Sequence, residues 1–303
     1  MQKSSKIWLN GELVDWDQAK IHVLTHALHY GTGVFEGLRC YETDKGTIIF
    51  RMQEHVKRLF DSAKIYMMDM SYGFDDICDA VIKTVKVNSL PNCYVRPIAY
   101  YGYGRMGVTP LNKVDVAIAV WKWDEYLRPN AGDGIRCMVS SWRRIDSRTM
   151  PLQAKATANY ANSALARIEA LKSGYDEAIM LNIDGMVAES SAENIFIVKD
   201  SMLVTPPTTA GALEGITRNS ILEIAKQNNI PYQITDITRD ELYTAEEVFL
   251  TGTAAGIKPV VEVDKRLVGN GDVGVVTKKL QQLYHDVVMG RDARFDKWLT
   301  YVK

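Results

Sequence analysis

Between Gln53 and Met67 apolar residues recur at the helical period, with Val56, Leu59, Phe60, Ala63 and Tyr66/Met67 on one stripe. The spacing predicts an amphipathic helix. Arg58 lies beside the stripe and is either solvated or turned inward. Further helices are predicted over 74–87, 159–172 with a stop at Gly174, 218–227 and 275–288. Strands are predicted at 34–41, 47–50, 92–101, 114–121, 135–140, 177–181, 186–188, 194–198, 202–205 and 246–250. Asn10-Gly11, between Ile7-Trp8-Leu9 and Glu12-Leu13-Val14, marks a hairpin, because both turn residues tolerate positive φ. Alternation along 92–101 puts Tyr94 and Arg96 on one face.

A chain of 303 residues has length for two cores. The polar stretch 122–134, with Pro129-Asn130 and Gly132-Asp133-Gly134, predicts a linker between domains 1–121 and 135–303. A formal net charge of -1 gives no field that would draw nucleic acid or a membrane surface. No apolar run reaches membrane-spanning length, and the N-terminal residues lack a signal-peptide core. Cys40, Cys78, Cys93 and Cys137 are far apart with no C-x-x-C, as expected of reduced thiols in the cytoplasm. His22, His26 and His29 are followed by Gly31 and Gly33 and have no Cys or acidic cluster nearby. They read as packed or hydrogen-bonded histidines, and no metal is expected.

Lys155 is the only charge between Arg148 and Arg167, and its neighbours are Ala154, Ala156, Thr157 and Ala158. It is either an ordinary lysine at a helix start or a partly desolvated amine, which would be a nucleophile. Glu189 and Glu193 fall in a Ser/Ala/Asn-rich turn, as surface acids or as functional ones. Residues 211–217 lead into helix 218–227, where free N–H groups and the helix dipole favour an anion. The alternative there is N-capping by Thr217. A second small-residue turn, Thr251-Gly252-Thr253-Ala254-Ala255-Gly256, strengthens the case for a phosphate site. Arg96 suits either carboxylate recognition or a structural ion pair. The aromatic, Gly-rich stretch 100–107 reads as a substrate loop, since no basic patch surrounds it to support stacking on single-stranded nucleic acid. No Walker-type loop and no G-x-G-x-x-G are present, which disfavours nucleotides. A lysine, a monophosphate site and an acid are what pyridoxal 5'-phosphate requires. The amine holds the aldehyde, the phosphate anchors the ring, and the acid keeps the ring nitrogen protonated.

Several stretches together resemble the branched-chain amino-acid aminotransferases, class IV pyridoxal-phosphate enzymes of fold type IV, over nearly the whole chain. They are His26-Ala27-Leu28-His29-Tyr30-Gly31, Val34-Phe35-Glu36-Gly37, Arg58 with its helix, Tyr94-Val95-Arg96, 155–160, 189–194, Gly215-Ile216-Thr217-Arg218 and Thr251-Gly252-Thr253-Ala254-Ala255. The resemblance implies an α/β (α+β) architecture, with a small N-terminal α/β domain and a larger β-rich one. It implies the cofactor between them and a homodimer or higher homo-oligomer. The implied reaction moves the amino group of Leu, Ile or Val to 2-oxoglutarate by a ping-pong mechanism. Lys155 would be the Schiff-base lysine and the acid/base. Glu189 would pair with the pyridine nitrogen, with Glu193 beside it, and Tyr160 would meet the ring hydroxyl. Arg58, Ile216, Thr217 and Thr253 would hold the phosphate, with Asn194, Leu213, Gly215 and Gly252 in the same cofactor site. Tyr30, Phe35, Gly37, Tyr94, Arg96, Trp123, Tyr126, Thr253 and Ala254 would line the substrate site. Many relatives carry an acid where this chain has Gly256, which touches the substrate rim but no catalytic role. A D-amino-acid transaminase or an aminodeoxychorismate lyase of the same fold is the alternative, against which Tyr94-Val95-Arg96 argues. A non-catalytic cofactor carrier would need neither Glu189 nor the substrate-lining residues.

Overall fold

The computed structural model describes residues 2–109, 112–123 and 134–302, so Tyr126 and most of the expected linker lie outside the described residues. Contacts along the chain separate two compact units. One holds the described residues of Met1–Asp124 with Ala154–Ala158 and Val287–Lys303; the other holds those of Glu125–Gln153 and Asn159–Asp286. The five residues around Lys155 and the C-terminal segment therefore group with the first unit, although they follow the expected linker in sequence.

The first unit contains β1 (Lys6–Leu9), β2 (Glu12–Asp15), α1 (His26–Tyr30), β3 (Gly33–Phe35), β4 (Leu38–Thr43), β5 (Gly46–Phe50), α2 (Met52–Ile65), α3 (Phe74–Asn88), β6 (Cys93–Tyr101) and β7 (Val114–Lys122). Its sheet runs from the last strand, Leu299–Tyr301, through β5, β4, β6, β7 and β1 to β2, with β3 also paired to β6. The β1–β2 turn has φ of 49° at Asn10 and 97° at Gly11, as the hairpin requires. The predicted stripe of α2 (Val56, Leu59, Ala63) and the face of α3 (Ile77, Val81, Val85) are buried against Leu38, Val95 and Val116 of the sheet. Each of the Val, Leu and Ile side chains contributes roughly 1.5–3 kcal/mol by leaving water.

The strand expected over 34–41 is two strands, β3 and β4, broken at Glu36-Gly37. Two contacts cause the break. The Glu36 side chain turns inward to His55 and Arg58 of α2. At Gly37 a Cβ would overlap the Tyr94 hydroxyl, so only glycine lets the chain pass. The C-terminal residues, legible in sequence only as an aromatic end, add a strand antiparallel to β5, with Leu299 opposite Phe50. Arg51 anchors it: its N–H donates to the Trp298 carbonyl at 2.7 Å, and its guanidinium lies 4.5 Å from the Trp298 ring centroid.

The second unit contains β8 (Ile135–Val139), α4 (Asn159–Lys172), β9 (Glu177–Leu181), β10 (Val187–Ser190), β11 (Asn194–Lys199), β12 (Met202–Thr205), α5 (Ile216–Gln227), β13 (Tyr232–Ile234), α6 (Glu241–Thr244), β14 (Glu247–Gly252), β15 (Gly256–Val263), β16 (Arg266–Leu267) and most of α7 (Val275–Val288). The sheet order is β10-β9-β8-β15-β14-β11-β12-β13, with β16 on β15. Strand β8 pairs parallel to both β15 and β9, and β12 pairs parallel to β13. Helix α4 lays Ala166 and Ala170 on Ala178 and Met180 of β9, and their small side chains let the helix sit close. Glu189 belongs to β10, not to a surface turn, and both Glu189 and Glu193 are buried.

Candidate active site

Lys155 lies in a segment laid along β3. The Phe35 N–H donates to the Lys155 carbonyl at 3.0 Å, Val34 bridges to Ala156, and the Thr157 N–H donates to the Gly33 carbonyl at 2.8 Å. From α2, the buried Ser62 hydroxyl accepts the Lys155 N–H at 3.0 Å. Ala154 and Ala156 on either side are buried, so the alanines of this stretch are what lets it lie so close. The Lys155 amine stands 5.2 Å from the Phe35 ring centroid. Part of the side chain keeps some exposure, yet protein atoms crowd the amine. Burial pushes it down to about 8, Arg58 acts in the same direction, and Glu36 opposes both. The desolvated reading of this lysine therefore holds over the ordinary one.

Arg58 points inward, and its expectation as a solvated helix residue fails. Its Nε–H donates to Glu36 Oε1 at 2.5 Å and its Nη2–H to Glu36 Oε2 at 3.0 Å. His55, one turn earlier, donates from Nδ1 to Glu36 Oε2 at 2.7 Å. Burial alone would raise the Glu36 carboxyl, but Arg58 and His55 outweigh it and hold it well below the usual carboxylate range. Burial pushes the His55 imidazole down, and the Glu36 carboxylate beside it opposes that shift.

Tyr94 and Arg96 share one face of β6, as alternation requires, with Arg96 Nη2 donating to the Tyr94 hydroxyl at 3.4 Å. The Arg96 guanidinium lies 4.7 Å from the Phe35 ring centroid, and Tyr94 stacks between Trp121 at 5.1 Å and Trp123 at 4.6 Å. No carboxylate pairs with Arg96 among the described residues, and its buried Nε has no hydrogen-bond partner there. The structural ion pair that the sequence left open is therefore not formed among them. Tyr30 on α1 is exposed and stacks on His26 at 4.5 Å. His26 bonds Thr32 Oγ1 at 2.8 Å and the Gly107 carbonyl at 2.7 Å, and His29 bonds the Val23 carbonyl at 2.8 Å. Among the described residues no cluster of metal-ligating side chains occurs.

In the second unit, Glu189, Asn194 and Leu213 form one bonded group. Asn194 Nδ2 and the Leu213 N–H each donate to Glu189 Oε2 at 3.1 Å, and Asn194 Nδ2 also donates to the Leu213 carbonyl at 2.9 Å. Arg144, buried, pairs with Glu189 Oε1 at 2.9 Å. It also donates to the Gly211 carbonyl at 3.3 Å and to Ser163 Oγ at 3.2 Å. Just after Leu213, Gly215 is the N-cap of α5 and no side chain caps this helix. Capping by Thr217 is thus excluded. Thr217 lies buried in the first turn, two positions after the cap. Thr253, Ala254 and Ala255 form the turn between β14 and β15, closed by Gly252 opposite Gly256. Tyr160 sits in the first turn of α4.

Glu193 faces differently from Glu189. Its Oε2 accepts from the Ser190 hydroxyl at 2.6 Å, and burial raises its carboxyl. Glu177, fully enclosed beside Arg167, is pushed up to about 7 by burial and by the Glu193 charge. A negative charge at Glu193 thus disfavours a second one at Glu177.

Glu36, His55 and Arg144 were missed from the sequence. Glu36 carried a signal, as a lone acid between apolar residues in Val34-Phe35-Glu36-Gly37. Arg144, next to Arg143 in a polar loop, carried none.

Residues 33–263 match the family model for amino-transferase class IV. The chain is 46% identical over 300 residues to the branched-chain-amino-acid aminotransferase of Escherichia coli (strain K12), covering 98% of this chain and 96% of that one. It superposes with a TM-score of 0.97 and 45% identity, over 100% of both chains, on the T.th. branched-chain amino acid aminotransferase with pyridoxamine 5'-phosphate. The same T.th. enzyme complexed with N-(5'-phosphopyridoxyl)-L-glutamate gives a TM-score of 0.96 at 44% identity, again over 100% of both chains.

Proposed function

The chain belongs to the class IV aminotransferases of fold type IV, and from that premise we propose how its residues move the amino group of branched-chain L-amino acids to 2-oxoglutarate. Branched-chain amino-acid transamination is its reaction and pyridoxal 5'-phosphate its cofactor. The donor set fits that group: a desolvated amine at Lys155, a guanidinium fixed at Arg58, an arginine-paired acid at Glu189 and an uncapped helix start at Gly215. When bound, the cofactor supplies an aldehyde that takes up the amino group and a ring that accepts the electrons of the substrate α-carbon.

Lys155 Nζ would hold the cofactor and, as a free amine, would carry the proton from the substrate α-carbon. An amine near 8 is neutral in a large enough fraction for both tasks. Glu189 holds the proton of the pyridine nitrogen, with Arg144, Asn194 and the Leu213 N–H fixing its oxygens. Tyr160 meets the ring hydroxyl. Arg58, Thr253 and the N–H groups of Ile216 and Thr217 would hold the phosphate, with Gly215 and Gly252 in the same cofactor site. Glu193 is a neighbour that braces the Ser190 turn. Phe35, Gly37, Tyr94 and Trp123, with Tyr30, Tyr126 and Ala254, line the substrate side, and Arg96 receives the second carboxylate of glutamate. We also propose domains 1–121 and 135–303 joined by 122–134, with 154–158 and 287–303 grouping with the first.

A homodimer or higher homo-oligomer is supported by an exposed apolar set around α1 and the loop after β6. There Val23 is 66%, Leu28 61%, Tyr103 60% and Val108 84% exposed. Four free, buried cysteines support a reducing compartment, the cytoplasm. Among the described residues, no helix is long and apolar enough to cross a membrane.

The carrying observation is the pairing of a desolvated Lys155 with an Arg96 that has no carboxylate of its own among the described residues. Adding L-leucine alone to the holoenzyme tests the reading. The bound cofactor's absorbance should shift from its aldehyde to its amine form and return with 2-oxoglutarate. A response to D-amino acids alone would favour the D-specific relatives, and no response at all a carrier.

Two substitutions probe the cofactor side. Arg58→Ala should raise the cofactor dissociation constant about ten- to a hundredfold, since a charged hydrogen bond is worth roughly 1.5–3 kcal/mol. Unchanged affinity by fluorescence titration would remove Arg58 from the phosphate. Glu189→Gln should cut turnover by a similar factor with a smaller change in affinity, because it weakens the ring's electron sink. Should Glu193→Gln give the large rate loss instead, the ring nitrogen has been assigned to the wrong acid.

A further inference from the structure

Glu36 has no role in the reaction as assigned above, yet it is completely enclosed and both oxygens of its carboxylate meet defined donors. Oε1 takes Arg58 Nε at 2.5 Å, and Oε2 takes Arg58 Nη2 at 3.0 Å, His55 Nδ1 at 2.7 Å and the Gly37 N–H at 3.2 Å. The residue before it, Phe35, donates its N–H to the Lys155 carbonyl at 3.0 Å. His55, Arg58 and Ser62 recur at helical spacing along α2, and Ser62 Oγ accepts the Lys155 N–H at 3.0 Å. The same helix and strand thus hold Lys155 by its backbone and Arg58 by its guanidinium, and Glu36 is the tie between them.

We propose that Glu36 is a positioning residue that locks the Arg58 guanidinium at a fixed place relative to Lys155, so that the phosphorylated cofactor is selected over its unphosphorylated form. This rests on the assignment of Arg58 to the phosphate. Two effects of Glu36 oppose each other. Its negative charge cancels that of Arg58 and weakens attraction for a phosphate. Its two-point grip removes the freedom of a long side chain and presents the remaining N–H donors in one orientation. Retaining Glu36 is therefore favourable for phosphate binding only if orientation outweighs charge.

The experiment measures dissociation constants of pyridoxal 5'-phosphate and of pyridoxal for the full-length apoprotein by intrinsic fluorescence, in the parent, Glu36→Gln, His55→Leu, His55→Asn and Arg58→Ala. Positioning predicts that Glu36→Gln weakens the phosphorylated ligand about ten- to a hundredfold, the size of a lost charged hydrogen bond. Pyridoxal binding should stay within about twofold, a fraction of that effect. His55→Leu should shift the same ratio in the same direction by less. His55→Asn, which keeps a donor toward Glu36, should restore it. If Glu36→Gln does not fold, the two His55 variants decide the matter by the same ratio. Equal losses for both ligands would reduce Glu36 to a structural part of the unit. Tighter or unchanged binding of the phosphorylated ligand would show that charge outweighs orientation and would overturn the proposal. Arg58→Ala separates the two layers. If it leaves the ratio untouched, the phosphate assignment of Arg58 fails. If it collapses the ratio while Glu36→Gln leaves it intact, only the positioning role fails.

Discussion

Lys155→Ala is expected to lower turnover by more than about 10³-fold while the protein still binds pyridoxal 5'-phosphate. General acid–base catalysis alone is typically worth about 10²–10⁴-fold, and here the same amine is also the point of covalent attachment. Binding should survive if, as proposed, Arg58 and the start of α5 each contribute to holding the phosphate independently of the amine. Borohydride treatment of the parent should fix the cofactor to the peptide that contains Lys155, and the variant should retain none after denaturation. Turnover close to that of the parent would end the assignment. A pH signature accompanies it. The folded amine titrates at about 8 against an ordinary 10.5, so the folded apoprotein binds fewer protons than the unfolded chain between those values. Stability of the apoprotein should therefore rise with pH across that window, and the unfavourable contribution of Lys155 is fully present below about 8. Denaturant midpoints of the parent relative to Lys155→Ala should show the rise. A flat difference would mean that the amine is solvated.

Arg96→Ala is expected to be selective between substrates. A transaminase of this kind accepts an apolar side chain in one half-reaction and the side-chain carboxylate of glutamate in the other. Burying that carboxylate without a partner costs several kcal/mol. Arg96 is fixed on β6 by Tyr94 and by the Phe35 face, and it has no carboxylate of its own among the described residues. Its loss should cost about 2–5 kcal/mol for glutamate and 2-oxoglutarate, the range for truncating one partner of a buried, hydrogen-bonded charge pair. The leucine half-reaction should change far less, because on the proposed assignment aromatic walls such as Phe35 and Trp123 receive its side chain. Single-turnover kinetics with each amino acid separately give both numbers. Equal losses would mean that Arg96 binds the α-carboxylate common to both substrates, and the proposed substrate orientation would have to be reversed.

The legible parts of the chain were those with a local period or a local turn rule. Helices α3 and α7 lie within a residue of their predicted positions, because 3.6-residue periodicity survives whatever the helix packs on. The Asn10-Gly11 hairpin was legible because positive φ is a property of the turn residues themselves. The shared face of Tyr94 and Arg96 follows from strand alternation alone. The character of Lys155 was half legible. Its alanine neighbours pointed to close approach, but the depressed amine comes from burial against β3 and α2, far earlier in the chain, and from the Arg58 charge.

What only the tertiary structure decided is which groups meet across long stretches of chain. Strand 34–41 was read as continuous because apolar residues lie on both sides of Glu36-Gly37; the inward turn of Glu36 needs His55 and Arg58 in place on a helix later in the sequence. The pairing of Leu299 with Phe50 and of Arg144 with Glu189 has no local signature, since either partner alone is an ordinary terminal or loop residue. Glu189 and Glu193, alike in sequence, were separated by their surroundings. One is fixed by Arg144, Asn194 and Leu213; the other is raised by burial near Glu177. Charge and conformation at those positions are set by the identity of distant neighbours and by the water they exclude, and neither quantity is a function of local spacing.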